Sequence, residues 1–508
     1  MLLSLCRVLE RAGRRRLLVF IFVLCAAPVT LMCALVTPPT QSPDEGAHMT
    51  RIAGLLRGEI VPFRVNGTDC FTGQFRKNIT TGAWVDKGLV TLAFGITSTV
   101  NNRTEVTHNN LLAMLNAPPD HSTMFGGMPN TAVYFPLAYL PAVAGAGLSN
   151  VIGARPYVCL IIGRVCMAIA FLALGSFALS LAAFGESLIL TVLLFPMTLY
   201  LAGSVNQDGI LIALTCLACA FLTRGSRRDR LCGLVAFVCV LGAKFPYIPL
   251  LAVFCEPLFA AGWLIRIREA AIAAIPVIVW VCIVAAFVAV HALIPPYHPG
   301  PLYAGDPHIL LDQTNSSANF HILIADPTRF LTVPWQAMVT YGSDHLLEMI
   351  GTLGLLTVWL PSYMYWLGGG ALAAAIAGLF FTGERRAGSP GGRIVDGLFT
   401  LIMIALSYWL LNIALYLSWT HVGSNTIEGF QGRYLTPLVP FLIFAVPKLP
   451  RLPKIEPIVS ALPAAAMGVF NIVVVSLAII SYYYPSMAPD MLSKLVFPFE
   501  LLRDFIVT

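Results

Sequence analysis

Charged residues are scarce in this chain. Only 11% of its 508 residues are Asp, Glu, Lys or Arg, whereas 57% are apolar, and an ordinary soluble domain carries about 25% charged residues. This scarcity argues against a water-soluble protein. The small surplus of 31 Lys and Arg over 25 Asp and Glu lies mostly in short clusters between apolar runs. That distribution is typical of membrane topology signals, and it does not indicate nucleic-acid binding.

Residue patterns that bind a metal are also missing. The chain has 12 cysteines, but only Cys70 clearly falls in a long polar loop. No group of Cys and His has the spacing of a zinc site, so the sequence predicts neither a metal site nor a disulfide framework. A repeat, a low-complexity tract and a separate soluble end domain are all absent. We therefore interpret residues 1–508 as a single integral membrane domain.

Apolar runs long enough to cross a membrane recur along the whole chain. A helix needs about 20 residues to cross the hydrocarbon layer, and these runs lack the alternation of a lipid-facing barrel. The predicted fold class is an all-α polytopic membrane protein with about eleven spans, within a range of roughly 11–13. The predicted spans are 17–36, 157–182, 187–204, 208–223, 231–245, 246–263, 271–293, 363–382, 396–418, 433–447 and 457–483. Residues 132–152 are predicted to be re-entrant or interfacial.

Basic clusters predict the orientation of these spans. They occur at 14–16, 224–230, 266–268, 384–393 and 448–454, and such clusters favour the cytoplasmic side. The N-terminus is then cytoplasmic, and the first apolar run is a retained span and not a cleaved signal peptide. Three extracytoplasmic loops follow: 37–131, with amphipathic or interfacial helices, 294–350, and 419–432. The first two are long enough to indicate function.

An acidic pair opens the first of these loops. In the segment SPDEGAH, Ser42 suits the N-cap of a helix, Pro43 suits N1 and Glu45 suits N3, which is the capping-box pattern. Residues at i, i+3, i+4 and i+7 then share one face of that helix: Asp44, Ala47, His48 and Arg51. Glu45 is turned away from this face. Both acids would also stabilise the positive end of the helix dipole without any catalytic role. The grouping of Asp44 with an imidazole and a guanidinium is nonetheless a candidate reaction site.

Four more charged residues lie in or beside apolar sequence. Asp208, in SVNQDG, is either a helix cap or a second carboxylate of the site. Lys244, in AKFPY, either extends its amine to the membrane surface or binds an anionic head group. Arg433, in EGFQGRY, suits bidentate binding of phosphate. Arg164 falls inside an apolar segment, and with Lys244 and Arg433 it could form an anion pocket.

Several of these motifs, taken in order, resemble a known group of proteins. A first span, a long outer loop that opens with an acidic pair and many later spans resemble the glycosyltransferase C superfamily. SPDEGAH, SVNQDG, AKFPY, GTLG and EGFQGRYLTP together look like a bacterial family of multi-spanning membrane proteins of unknown function. The segment that leads into GTLG begins at Tyr341 and is the best candidate for an ordered lid.

The resemblance implies an inverting transfer of sugar from a polyprenyl-phosphate carrier to the hydroxyl of a glycan or glycolipid at the outer face of the plasma membrane. The superfamily's catalytic carboxylate corresponds to Asp44 or Glu45, and the capping argument favours Asp44. The remaining predicted substrate- and phosphate-binding residues are His48, Arg51, Arg164, Asp208, Lys244, Tyr247, Tyr341, Arg433 and Tyr434. A divalent metal is left open, and no other cofactor is implied. The expected partners are the lipid-linked donor, the acceptor and membrane lipid.

Two other functions fit the same sequence features. A transporter or flippase would also place charges in broken helices, but transporters tend to show repeated halves and binding sites near the bilayer midplane. A scaffold subunit would keep the fold and lose the acidic pair, which is present here. Transferase chemistry is therefore the preferred prediction.

Overall fold

The computed structural model describes residues 2–68, 75–96, 106–289, 315–381, 393–446 and 457–507. Cys70, most of residues 384–393 and the whole of 448–454 lie outside this part. Within it the chain is predominantly helical. The α-helices are α1 (Leu2–Val36), α2 (Glu45–Leu56), α3 (Lys87–Val90), α4 (His108–Leu115), α5 (Leu140–Val151), α6 (Pro156–Leu181), α7 (Glu186–Leu194), α8 (Pro196–Ala202), α9 (Asp208–Leu222), α10 (Arg227–Ala243), α11 (Trp263–Ile283), α12 (Ser316–Ala325), α13 (Arg329–Gly351), α14 (Ser362–Phe381), α15 (Ile394–Ser418), α16 (Leu442–Ala445), α17 (Pro457–Tyr483) and α18 (Met491–Val507).

Six helical segments in the described residues are long and apolar enough to cross a membrane. They are Gly13–Val36, Pro156–Leu181, Trp263–Val288, Ser362–Phe380, Ile394–Ser418 and Ile458–Tyr483. Each overlaps one of the eleven predicted spans. Three further predicted spans coincide with shorter apolar helical segments, at Asp208–Leu222, Phe245–Cys255 and Gly432–Ala445. The structure thus supports a polytopic helical protein, and the count of eleven stays a prediction.

Several predicted segments are shorter or interrupted in the structure. The span at 231–245 corresponds to the 17-residue α10. The span at 187–204 is divided between α7 and α8, because Pro196 lacks an amide hydrogen and starts a new helix. The span at 246–263 is replaced in part by a 3₁₀ helix over Phe245–Cys255 that contains Pro249. The segment at 132–152 contains α5, whose 12 residues extend about 18 Å, less than the hydrocarbon thickness.

A small sheet lies in the first long loop, where the sequence predicted only helices. Strands β1 (Phe63–Thr68), β2 (Phe75–Asp86) and β3 (Thr123–Gly127) form an antiparallel sheet in the order β1-β2-β3. Trp84 pairs with Phe125 in the register of β2 and β3. An open sheet has edge groups that need water or protein partners, so this sheet lies outside the hydrocarbon layer. We call β1–β3 the extramembrane sheet.

The second long loop is also more ordered than predicted. Residues 290–314 lie outside the described part, but α12 and the 23-residue α13 occupy much of the rest. The proposed lid sequence from Tyr341 is the C-terminal half of α13. A two-stranded hairpin of β4 (Thr352–Leu353) and β5 (Val358–Trp359) follows it.

The core is formed mainly by α1, α6, α7, α9 and α17. Residues of α1 such as Phe22 and Val29 are fully buried, and Phe22 makes an edge contact with Phe171 of α6. The segment from Leu188 to Leu194 in α7 is buried on all sides, which explains why it reads as a continuous apolar run. α2 lies at one end of this core and follows α1 and precedes the extramembrane sheet in the chain.

Candidate functional site

α2 begins after Asp44, two residues later than the capping-box prediction. Asp44 occupies the N-cap with φ 58 and ψ 10, and its side chain makes no capping hydrogen bond. The amide of Glu45 donates to the carbonyl of Ser42 at 3.0 Å, whereas the Ser42 hydroxyl has no hydrogen-bond partner among the described residues. The predicted capping box is therefore wrong. The carboxylate of Glu45, which the capping box assigned to the start of the helix, binds Arg164 instead.

Glu45 forms a buried ion pair with Arg164 of α6. Nε of Arg164 donates to Oε1 at 2.8 Å and Nη2 donates to Oε2 at 2.6 Å, and neither side chain is exposed. The guanidinium also donates to three carbonyls at the end of α1 and just beyond it, those of Ala34, Thr37 and Pro38. Glu45 and Arg164 therefore connect α1, α2 and α6. Neither has a charged group free for substrate.

Asp44 belongs to a different set of charges, which we call the charge cluster: Asp44, Asp208, Lys244 and Arg433. Nη2 of Arg433 donates to Oδ2 of Asp44 at 2.6 Å, and Nε lies 2.9 Å from Oδ2 of Asp208. Nζ of Lys244 lies 2.8 Å from Oδ1 of Asp208. The two acids and two bases form one connected group in which Arg433 links the two acids. Arg164, which the sequence assigned to the same anion pocket, lies outside it.

Local chain geometry places Asp208 and Lys244. Asp208 is the first residue of α9, and its amide donates to Oδ1 of Asn206 at 2.8 Å. Nδ2 of Asn206 donates to the carbonyl of Pro43 at 2.8 Å, which joins the SVNQDG turn to the start of α2. Lys244 is the C-cap of α10, and a 3₁₀ helix begins at the next residue, Phe245.

Two tyrosines support the cationic side of the cluster. Nζ of Lys244 lies 4.0 Å from the ring centroid of Tyr434, and the guanidinium carbon of Arg433 lies 5.3 Å from it. An aromatic face attracts cations held in this way. Tyr247 donates its hydroxyl hydrogen to the carbonyl of Tyr434 at 2.8 Å. Tyr434 thus contacts both bases, and Tyr247 positions Tyr434.

His48 borders the cluster on the side of α2. Its Nδ1 and the hydroxyl of Tyr139 share a hydrogen bond of 2.6 Å, and its ring stacks at 6.1 Å from that of Tyr134. Burial lowers the pKa of His48 to about 4, although Asp44 and Asp208 raise it. The imidazole is therefore neutral at neutral pH.

Arg51 shares the α2 face of His48 but does not reach the cluster. Its guanidinium is buried and donates to the carbonyls of Glu59 and Ile60 at 3.1 and 2.8 Å, with a longer contact to that of Tyr134. These bonds attach the chain that follows α2 to α2 itself. The structure therefore gives Arg51 a structural position, in contrast to the predicted binding role.

α13 contacts the loop that carries Arg433. Glu348 accepts a hydrogen bond from the amide of Gly432 at 2.7 Å. Gly432 packs so closely on α13 that a Cβ there would overlap the carbonyl oxygen of His345. Burial raises the pKa of Glu348 to about 7, although the Gly432 hydrogen bond and Arg433 lower it. Tyr341, on the same helix, is exposed, and its ring lies 6.2 Å from that of His345. It takes no part in the ion pairs and hydrogen bonds described for the charge cluster.

The four members of the cluster differ in exposure. The side chain of Asp44 is 25% exposed, whereas those of Lys244, Asp208 and Arg433 are 9%, 7% and 2% exposed. Among the described residues, the one hydrogen bond that Oδ1 of Asp44 accepts is a long one, 3.3 Å from Nδ2 of Asn130. Nη1 of Arg433 is buried and has no hydrogen-bond partner within the described residues. The partly exposed carboxylate of Asp44 can accept a hydrogen bond from a hydroxyl group. Nη1 of Arg433 can at the same time donate to an anion.

The carboxylates of the cluster face cationic side chains. Within the described ranges, no group of three or more His, Cys, Asp or Glu residues could hold a metal ion. The positive charge that faces Asp44 and Asp208 is supplied by Arg433 and Lys244.

Sequence reasoning missed four residues that shape the site. Asn206 lies in the SVNQDG motif, so the prediction of Asp208 could have been extended to it. Glu348 follows the predicted lid start but was not singled out, and Asn130 and Tyr139 carry no local signal. Their contacts with Asp44 and His48 join residues about 90 positions apart: 86 for Asn130 and Asp44, and 91 for His48 and Tyr139.

Comparison with known proteins gives a family and no described relative. No curated protein matches the chain, and no solved structure matches it. One family model, described as "Predicted membrane protein (DUF2142)", matches residues 28–442. That range includes α2 and all four members of the charge cluster. The chain is therefore a membrane protein that belongs to the DUF2142 family.

Proposed function

We propose that the protein is a membrane glycosyltransferase that moves a sugar from a polyprenyl-phosphate carrier to an acceptor hydroxyl, for synthesis or modification of a cell-surface polysaccharide or glycolipid. The active site faces the extracytoplasmic side of the plasma membrane, with the N-terminus in the cytoplasm. The observation that supports this most strongly is Nη1 of Arg433, a buried donor with no partner among the described residues. A phosphate oxygen is a suitable partner for a guanidinium held in place by two carboxylates.

Asp44 is the catalytic base in this proposal. Its side chain is the most exposed of the charge cluster, and within the described part of the chain its Oδ1 accepts just the long bond from Asn130. Oδ1 is therefore available to an acceptor hydroxyl, while Oδ2 stays bound to Arg433. Glu45, the other acid of the pair, is fully engaged by Arg164 and has a structural role.

The reaction follows from these positions. The acceptor oxygen attacks the anomeric carbon and forms the new glycosidic bond, and its proton passes to Asp44. The bond between the anomeric carbon and the phosphate oxygen breaks, and its electron pair remains on the lipid phosphate. Arg433 and Lys244 stabilise the charge that develops there. Direct attack of this kind inverts the anomeric carbon.

Asp208 has a supporting role in the same step. It contacts both Lys244 and Arg433, and it is the first residue of α9. An acid at a helix start is stabilised by the helix dipole. Asp208 thus holds the two cations at fixed positions before the phosphate arrives, which is the preorganisation that favours charge stabilisation.

The test compares Asp44→Asn with the parent protein in lipid nanodiscs, using a panel of radiolabelled polyprenyl-phosphate hexoses and pentoses and a glycan extract as acceptor. We expect the variant to release sugar at least about 100-fold more slowly, because it lacks the base. Asp490→Asn is the matched control: Asp490 accepts a hydrogen bond from the amide of Ser493 at the start of α18, and Asn caps equally well.

Three results would contradict the proposal. The first is release of sugar by Asp44→Asn at the parental rate, and the second is release from none of the donors by the parent. The third is flux of uncleaved lipid-linked sugar across liposomes containing the protein, which would instead support a flippase.

A further inference from the structure

An open depression lies on the extramembrane sheet, apart from the charge cluster. It has a volume of about 490 Å³ and is lined by Arg57, Glu59, Trp84 and Thr123. We infer that this depression binds a saccharide chain, and that the chain is the distal part of the acceptor. The assignment to an acceptor rests on the proposed function, whereas saccharide binding itself does not.

Trp84 provides an apolar surface in the lining of the depression. The residue is 47% exposed, and because the sheet lies outside the hydrocarbon layer its ring faces water. The rings of Phe63 and Phe125 lie 6.3 and 5.9 Å away and fix its orientation. A rigid indole presented to water suits the apolar C–H face of a sugar ring, since Trp combines a large apolar surface with little conformational freedom.

Polar groups beside the ring supply both hydrogen-bond donors and acceptors. Nη1 of Arg57 donates to Asp86 at 2.6 Å and Nη2 donates to the hydroxyl of Thr123 at 2.8 Å. These bonds fix the guanidinium at the edge of the depression. The carboxylate of Glu59 has no hydrogen-bond or ion-pair partner within the described residues, and carboxylates accept hydrogen bonds readily from hydroxyl groups.

The charge of the depression selects a neutral ligand. Arg57 is already paired with Asp86, and Glu59 adds a further negative charge. An anionic lipid head group or a nucleic acid would be repelled by this surplus, because such ligands need exposed cations. A hydroxyl-rich neutral saccharide matches the donors, the acceptors and the aromatic ring together.

α2 fixes the separation between the depression and the charge cluster. Asp44 is the N-cap of this helix and Arg57 is its C-cap. With a rise of about 1.5 Å per residue, the two positions are about 20 Å apart along the helix. A chain that occupies both sites therefore needs several sugar units, so the inferred acceptor is an oligosaccharide or polysaccharide and not a monosaccharide.

The test measures binding of the full chain in nanodiscs to an array of neutral oligosaccharides, from disaccharides to octasaccharides, without any donor. We expect Trp84→Ala to weaken binding of the longer members at least about tenfold, and Trp84→Phe to weaken it less, because a ring remains. Glu59→Ala should also weaken binding. Trp335→Ala is the matched control, since Trp335 of α13 is 56% exposed on another surface.

The outcomes separate this inference from the proposed function. Binding that depends on Trp84 and persists in Asp44→Asn supports the depression even if no donor is cleaved. Parental binding by both Trp84→Ala and Glu59→Ala contradicts the inference, even if sugar transfer is established. Loss of attachment to phosphatidylglycerol vesicles in Trp84→Ala, with glycan binding unchanged, would also overturn it and make Trp84 a membrane anchor.

Discussion

Glu45 and Arg164 form a two-point ion pair in the interior, with nitrogen–oxygen distances of 2.8 and 2.6 Å and both side chains fully buried. The preceding residue, Asp44, is bound to Arg433 and has the most exposed side chain of the charge cluster. Adjacent acids therefore have separate partners, 119 and 389 positions away in sequence. Glu45 stabilises the fold, and Asp44 is the base of the proposed reaction.

This difference predicts unequal effects on stability when the two acids are neutralised. Glu45→Gln should lower the free energy of unfolding by about 3–5 kcal/mol, because it leaves the buried Arg164 without a counter-ion. Asp44→Asn should lower it by less than about 1 kcal/mol, since Asp44 is partly exposed and Arg433 keeps Asp208. Chemical unfolding in detergent, followed by circular dichroism, measures both. Equal destabilisation by the two variants would show that the separation of roles is wrong.

Glu348 predicts a dependence of stability on pH. Its pKa is raised to about 7 in the folded protein, above the usual value of about 4.3 for Glu, so folding favours the protonated form. The stability from this group is complete below about pH 4 and is lost as the pH rises through about 7, a change on the order of 3 kcal/mol.

The comparison of the parent with Glu348→Gln isolates this contribution, because glutamine does not titrate and can still accept from the amide of Gly432. We expect the parent to lose stability relative to the variant between about pH 4 and pH 7. Asp344, on the same helix, raises the pKa of Glu348 and Arg433 lowers it. Parallel unfolding curves for the two proteins across this range would rule out a raised pKa.

The close contact of Gly432 with α13 predicts that this helix controls the position of Arg433, the next residue in the chain. Gly432→Ala would force its Cβ against the carbonyl oxygen of His345, so the loop must move away from α13. We expect a loss of roughly 1–3 kcal/mol in the free energy of unfolding and slower sugar transfer. Gly342→Ala is the control: on the same helix, its Cβ would approach nothing closer than 4.0 Å, and it should gain roughly 0.5–1 kcal/mol. If both variants lose stability equally, the close contact at Gly432 is not the cause.

The sequence predicted several charged residues of the site because each stands out in apolar surroundings. Asp208, Lys244 and Arg433 lie in or beside long apolar runs, where an isolated charge needs a partner. The structure supplies those partners from within the same set. The partner of Glu45 could not be predicted, since a pairing of residues 119 positions apart leaves no local pattern.

Arg51 shows why a shared helix face is weak evidence of a shared site. It lies seven residues after Asp44, as the helical spacing requires, but its long side chain turns to the carbonyls of Glu59 and Ile60. The extramembrane sheet was missed for a related reason. The pairing of Trp84 with Phe125 joins β2 to β3, which are separated in sequence by α3 and α4, and such pairing depends on tertiary contacts more than on local propensity.

The composition of the charge cluster has a consequence for the proton balance of the proposed reaction. Its two carboxylates and two cations cancel, so a bound sugar phosphodiester gives the occupied site one net negative charge. After transfer the lipid phosphate carries two, but Asp44 has gained the acceptor's proton, and the total is again one. The site therefore stays at constant charge throughout the chemical step, and a proton is released to solution only when Asp44 is restored for the next turnover.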